Sequence, residues 1–106
     1  MKFAPIAALK SKRVELDDVC RRFAVRRLEL FGSATRDDFD PARSDPDFLV
    51  EFDSFDAATG FESYFGLKED LEALFGRSVD LVMTAAVRNP YVRAEIDRDR
   101  TLLYAA

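Results

Sequence analysis

Histidine is missing from this 106-residue chain, and so is tryptophan. Without histidine there can be no Ser-His or Cys-His catalytic pair and no His-ligated zinc. Cysteine occurs once, as Cys20, which excludes a disulfide framework and a thiolate metal cluster. Long apolar runs are also lacking, and the N-terminal MKFAPIAALKSKR meets basic residues early. Neither a signal peptide nor a membrane span is therefore expected, and a cytoplasmic location is the default. Positive charge is in short supply too: 16 Lys and Arg stand against 20 Asp and Glu, a net charge of −4. A general nucleic-acid binder would carry a basic stripe, so direct nucleic-acid binding is not expected. A nucleotide substrate stays open, because a bound metal ion can carry the compensating charge.

What the chain does have is apolar bulk. Hydrophobic residues make up 48%, including ten Phe, enough to fold a single domain over residues 1–106. Leu16, Val19, Cys20 and Phe23 recur at helical spacing, predicting an amphipathic helix over residues 5–23 with Cys20 as a small core residue. Residues 25–31 read as a strand with Leu28 and Leu30 on one side and Arg27, Glu29 and Phe31 on the other. Gly32-Ser33 ends it, residues 34–38 have room for one helical turn, and Asp40-Pro41 marks an irregular loop. Residues 44–52 read as a second strand, with Pro46, Phe48, Val50 and Phe52 on one face. Asp45, Asp47, Leu49 and Glu51 take the other. A loop over 53–60 leads to a helix over 61–75, where Tyr64, Leu67, Leu71, Leu74 and Phe75 form the apolar stripe and Gly76 provides the C-terminal cap. Residues 78–83 form a third strand carrying Asp80. Asn89-Pro90 opens a last helix that runs to about Arg100, leaving Leu102, Leu103 and Tyr104 to dock. Phe55, Phe61, Tyr64 and Tyr91 are expected to pack in the core. Each strand thus has one strongly apolar face, while the acids of the second and third strands lie on the other. Helices should cover the first face and a cleft should open on the second.

The densest chemistry lies in residues 28–52, LELFGSATRDDFDPARSDPDFLVEF. Gly32 lets the backbone turn sharply and approach a phosphate. Ser33 offers a hydroxyl where a helical turn can begin, so that free amides face an anion. Asp45 and Asp47 leave one strand face together, and two hard oxygen ligands side by side suit Mg²⁺. Exposed carboxylates on a solvated strand are the bland alternative, but Asp is depleted in strands, and two on one face repel unless a cation intervenes. Asp80 alone could instead pair with Arg27 or Arg77.

Gly32-Ser33, then Asp45-x-Asp47, then Asp80 on a later strand, resembles the signature of the nucleotidyltransferase superfamily in its minimal form. The similarity runs from about Leu16 to Tyr104. The resemblance implies an α+β domain with a mixed three- to four-stranded sheet and helices on one face. It implies that Asp45, Asp47 and Asp80 bind two Mg²⁺ ions, with Asp80 also activating the attacking hydroxyl as a base. Gly32, Ser33 and Arg36 would hold the phosphates of ATP. Asp37 stands where commoner members have glycine, and Pro46 where many have an aliphatic residue. Members this small resemble the antitoxin halves of bacterial toxin–antitoxin pairs, which implies a HEPN ribonuclease as partner and transfer of AMP to one of its tyrosines. A core of this length would borrow its acceptor site from that partner or from a second copy. Two alternatives stay open: a non-catalytic module that silences its partner by contact, and a nucleotidyltransferase acting on a small molecule.

Overall fold

The computed structural model describes residues 9–35, 40, 42, 44–53 and 57–106. The predicted helix start near Pro5, and the residues Arg36, Asp37 and Phe55, lie outside them. The ordered elements are α1 (Arg13–Arg22), β1 (Val25–Phe31), a 3₁₀ turn (Gly32–Thr35), β2 (Asp47–Phe52), α2 (Ala57–Phe75), β3 (Asp80–Met83), a second 3₁₀ turn (Thr84–Ala86), α3 (Pro90–Asp99) and β4 (Thr101–Ala105). No described helix is long and apolar enough to cross a membrane.

The four strands form one mixed sheet in the order β3-β2-β1-β4. The β1–β2 and β1–β4 pairs are antiparallel. The β2–β3 pair is parallel, with α2 as its crossover. Alternation explains which face each strand buries. Leu28, Leu30, Phe48, Val50, Phe52 and Leu81 turn to the side where Leu16, Val19 and Cys20 of α1 and Leu67 and Leu71 of α2 complete the core. A buried leucine stabilises by about 1.5–3 kcal/mol relative to leaving it in water, so this layer supplies most of the driving force. Phe48 stacks on Phe75 with ring centroids 6.0 Å apart, and the Tyr64 hydroxyl donates to the Leu81 carbonyl at 2.5 Å. Both contacts fix α2 on β2 and β3. Phe23 lies over Gly66, where a Cβ would come within 2.5 Å of its ring; the glycine lets α2 approach the end of α1 closely.

Several predicted features sit where expected. β1 has the predicted bounds. Asn89 caps α3, its side chain accepting from Tyr91 N at 2.9 Å. Gly76 adopts φ +66, and its amide and that of Arg77 both reach the Glu72 carbonyl. Other features differ. β2 begins at Asp47 rather than Ser44 because Pro46 has no N–H to give to a ladder; its carbonyl instead accepts from Asp80 N at 3.0 Å. α2 starts at Ala57, so Gly60 belongs to a helix rather than to a loop, and it is buried there. The C-terminal apolar trio is a full edge strand. Phe61 and Tyr91, expected in the core, are 65% and 82% exposed, since both fall off the apolar stripe of their helix. Tyr64 packs against the core as predicted.

Leu49 and Ile96 are buried outside the main core cluster. Leu49 shares the Asp47 face of β2, so α3 with its Ile96 forms a wall on the cleft side. There a second organising feature appears. Glu29 of β1 is only 2% exposed. Arg100, directly after α3, grips it through two nitrogens at 2.5 and 2.6 Å, and Arg27 adds a third contact at 2.8 Å. These cations hold the Glu29 carboxyl below the ordinary range against the opposing effect of burial. Because Arg100 also bonds Asp97 at 2.6 Å, the network anchors the end of α3 to the middle of the sheet.

Candidate active site

Three strand ends meet on one row of the sheet. Phe31, the last residue of β1, pairs with Asp47, the first of β2. Asp47 in turn pairs with Asp80, the first of β3. Parallel register therefore places the two carboxylates side by side on the cleft face. The 3₁₀ turn follows Phe31 directly, and Gly32 enters it with φ +71. A Cβ on Gly32 would lie 2.8 Å from Asp47 Oδ2. Glycine is required here twice over: the left-handed conformation strains any other residue, and the carboxylate occupies the space. Thr35 closes the turn by donating its hydroxyl to the Gly32 carbonyl at 2.8 Å.

The electrostatics follow from this packing. The Asp47 carboxyl is pushed up to about 6, first by burial, then by the charge of Asp80 and the hydrogen bond between them, and last by the charge of Asp45. Both neighbouring acids thus act on Asp47, but not equally. Asp47 and Asp80 touch. Asp45 lies before the strand, exposed, with its Oδ1 3.8 Å from Arg77. The same Arg77 donates to the Ser44 carbonyl at 2.7 Å, tying the segment that carries Asp45 to the segment leading into β3. Among the described residues no three Asp, Glu or Cys side chains are arranged to hold one metal ion as they stand. The acids that the sequence grouped are therefore a close pair with a third, Arg77-held neighbour. Of the two cations proposed as partners for Asp80, Arg27 binds Glu29 and Arg77 faces Asp45. Ser33 lies in the turn beside Gly32, while Arg36 falls outside the described residues. Glu51 pairs with Arg26 at 3.4 Å, as suits a surface residue.

A cavity of about 310 Å³ opens beside Gly32 and Asp47, floored by Phe31 and walled by Val92, Glu95, Ile96, Arg98 and Asp99 of α3. That volume lies at the small end of the range for small-molecule sites. Sequence reasoning placed α3 but not its role as a cleft wall. Its helical pattern shows which residues are polar; only the docking of Arg100 on Glu29, 71 positions away, reveals where they face.

Comparison with known proteins identifies the family of the chain and of its fold. A model of the nucleotidyltransferase domain matches residues 14–103. Two proteins of Methanocaldococcus jannaschii, both provisionally named protein adenylyltransferases, are similar. One is 37% identical over 78 residues, 74% of this chain and 76% of its own length. The other is 32% identical over 93 residues, 80% of this chain and 91% of its own. Among solved structures, a provisionally assigned minimal nucleotidyltransferase superposes with TM-score 0.70 at 29% identity, covering 88% of this chain and 90% of that one. A chain in the structure of a tri-AMPylated Shewanella oneidensis HEPN toxin in complex with MNT antitoxin shares the fold at TM-score 0.62 and 16% identity, covering 92% of this chain and 73% of that one. Paired aspartates beside a glycine turn, on a four-stranded mixed sheet, thus stand in a chain that belongs to the nucleotidyltransferase domain family in its minimal form.

Proposed function

We propose that the protein is a Mg²⁺-dependent nucleotidyltransferase that moves AMP from ATP to a hydroxyl of a partner protein, and that it serves as the antitoxin to a HEPN ribonuclease. The observation that carries the reading is the Asp47–Asp80 pair pressed against the Gly32 turn. Two touching carboxylates, one of them raised to about 6, are destabilised at neutral pH unless a cation joins them. The donor set is hard oxygen, which fits Mg²⁺. Asp45, Asp47 and Asp80 would hold the ions. Once bound, the ions would neutralise charge at the α-phosphate and favour the ionised form of the attacking hydroxyl.

The chain's own residues would do the rest. The backbone of Gly32 and Ser33 would receive the β- and γ-phosphates, where the missing Cβ allows close approach. Asp80 would take the proton of the acceptor hydroxyl. The acceptor oxygen would bond to the α-phosphorus as the bond to the β-phosphate bridging oxygen breaks, releasing pyrophosphate. The names of the two archaeal relatives support a protein as acceptor. Likeness to the complex of an AMPylated HEPN toxin with its MNT antitoxin supports a HEPN toxin as that protein, and the family resemblance implies a tyrosine as the modified residue.

The test is incubation of the purified protein with a purified HEPN toxin as its proposed partner, Mg²⁺ and ATP labelled at the α-phosphate. Label is expected on a toxin tyrosine, with loss of ribonuclease activity. An Asp45→Ala/Asp47→Ala variant should transfer none and should fail to silence the toxin. Silencing by that variant without label would replace the enzyme with a module acting by contact.

A further inference from the structure

The pyrophosphate end of a nucleotide carries several negative charges, and most of the charged residues described on the rim of this cleft are acidic. Asp47, Glu95 and Asp99 all line the cavity. The arginines near it are largely engaged. Arg27 and Arg100 hold Glu29, Arg77 spans Ser44 and Asp45, and Arg93 donates to the carbonyls of Thr84 and Val87. Arg98 is different. It is exposed, lines the cavity, and is the one cation among the described lining residues. Its side chain enters no ion pair or hydrogen bond among the described residues. It sits in the last turn of α3, which the Arg100–Glu29 contact fixes against the sheet, so the cavity lies between its wall and the Gly32 turn.

Resting on the nucleotidyltransferase reading, we infer that Arg98 is a substrate-binding residue that grips the polyphosphate of the nucleotide donor from the α3 wall, opposite the backbone of Gly32. A guanidinium suits this task because its fork of donors matches phosphate oxygens, and it stays charged at any working pH. Its position also explains how an acidic cleft admits a polyanion: the ions at Asp47 and Asp80 cover one side, and Arg98 covers the other. A purely structural role, favourable charge at the C-terminal end of α3, would affect stability but not discriminate between ATP and AMP.

Titration calorimetry of the full chain with ATP and with AMP, in Ca²⁺ to prevent turnover, tests the inference. Arg98→Ala should weaken ATP binding roughly 10- to 100-fold, the usual weight of a charge-assisted contact, and leave AMP binding within about twofold. Arg98→Lys should recover part of the loss. Arg88→Ala, which removes an exposed arginine that does not line the cavity, should bind ATP as the wild type does. Equal ATP affinity in wild type and Arg98→Ala would overturn the inference and leave the catalytic reading standing. Equal losses for ATP and AMP would overturn the polyphosphate assignment. If the wild type itself bound no ATP with metal present, both would fall together.

Discussion

Replacing Asp47 with asparagine should make the metal-free protein more stable while destroying its chemistry. Asp47 is half-buried and touches Asp80, and its carboxyl is raised from 3.8 to about 6. A group whose folded value lies above its unfolded value keeps its proton longer in the native state. Stability therefore falls as pH rises from about 4 to about 6, and the deficit is complete above that window. At 1.36 kcal/mol for each tenfold change, the ceiling is about 3 kcal/mol. The cleft side of Asp47 meets solvent, so roughly 1–2 kcal/mol is the better expectation. For a domain of this size that is a rise in Tm of about 4–12 °C. The assay is thermal unfolding of both proteins in EDTA at pH 7.5 and at pH 4. Asp47→Asn should be the more stable at pH 7.5, and the two should converge at pH 4. Adding Mg²⁺ at pH 7.5 should then stabilise the wild type and not the variant, because only an ion-binding native state gains from mass action. A variant less stable than wild type at pH 7.5, or a difference that grows on acidification, would refute the crowding argument.

Gly32→Ala should cost roughly 1–3 kcal/mol and reduce ATP affinity at least about tenfold, because it adds left-handed strain and drives a methyl into Asp47. Gly76→Ala is the control: φ is +66 with nothing within 4 Å, so chemical denaturation should register about 1 kcal/mol while nucleotide binding is preserved. Arg100→Ala leaves buried Glu29 with Arg27 alone and should cost about 2–4 kcal/mol by urea unfolding. Because the Glu29 carboxyl is held low, its stabilisation is present above the unfolded value and fades as pH falls through the folded one. The penalty of Arg100→Ala should accordingly shrink in acid. Cys20 is fully buried, and its thiol is pushed up to about 12, mainly by burial with a contribution from Asp17. A thiol-specific disulfide reagent at pH 8 should leave it untouched in the native protein and titrate it completely in denaturant.

The strands and helices were legible where local chemistry and tertiary packing agree. Alternation in VRRLELF defined β1 because both its neighbours bury the same face. Asn89-Pro90 and Gly76 defined helix ends because capping is a local interaction. Errors arose where packing overrode local preference. Gly60 reads as loop chemistry yet lies buried within α2. Ala24 adopts φ 53, a conformation that its own side chain gives no reason to expect; its carbonyl accepts from Asp53 N at 2.8 Å. Arg26 and Arg27 are both exposed because the register shifts between Val25 and Arg27, a bulge that alternation alone cannot foresee. At the site, the adjacency of Asp47 and Asp80 followed from motif order and strand phase. Asp45 did not follow so simply, since Pro46 delays the strand and removes the alternation that would have aligned it with Asp47. Glu29 and Arg98 carried no sequence signal beyond being charged, because their surroundings are assembled from residues far apart in the chain.

The most direct measurement is a crystal structure with Mn²⁺ and a non-hydrolysable ATP analogue, read through the anomalous signal of the metal. The account predicts manganese bound by Asp47 and Asp80, with Asp45 released from Arg77 to join them and the phosphates seated on the Gly32 turn. Manganese absent from that pair, with the nucleotide bound elsewhere on the protein, would contradict it.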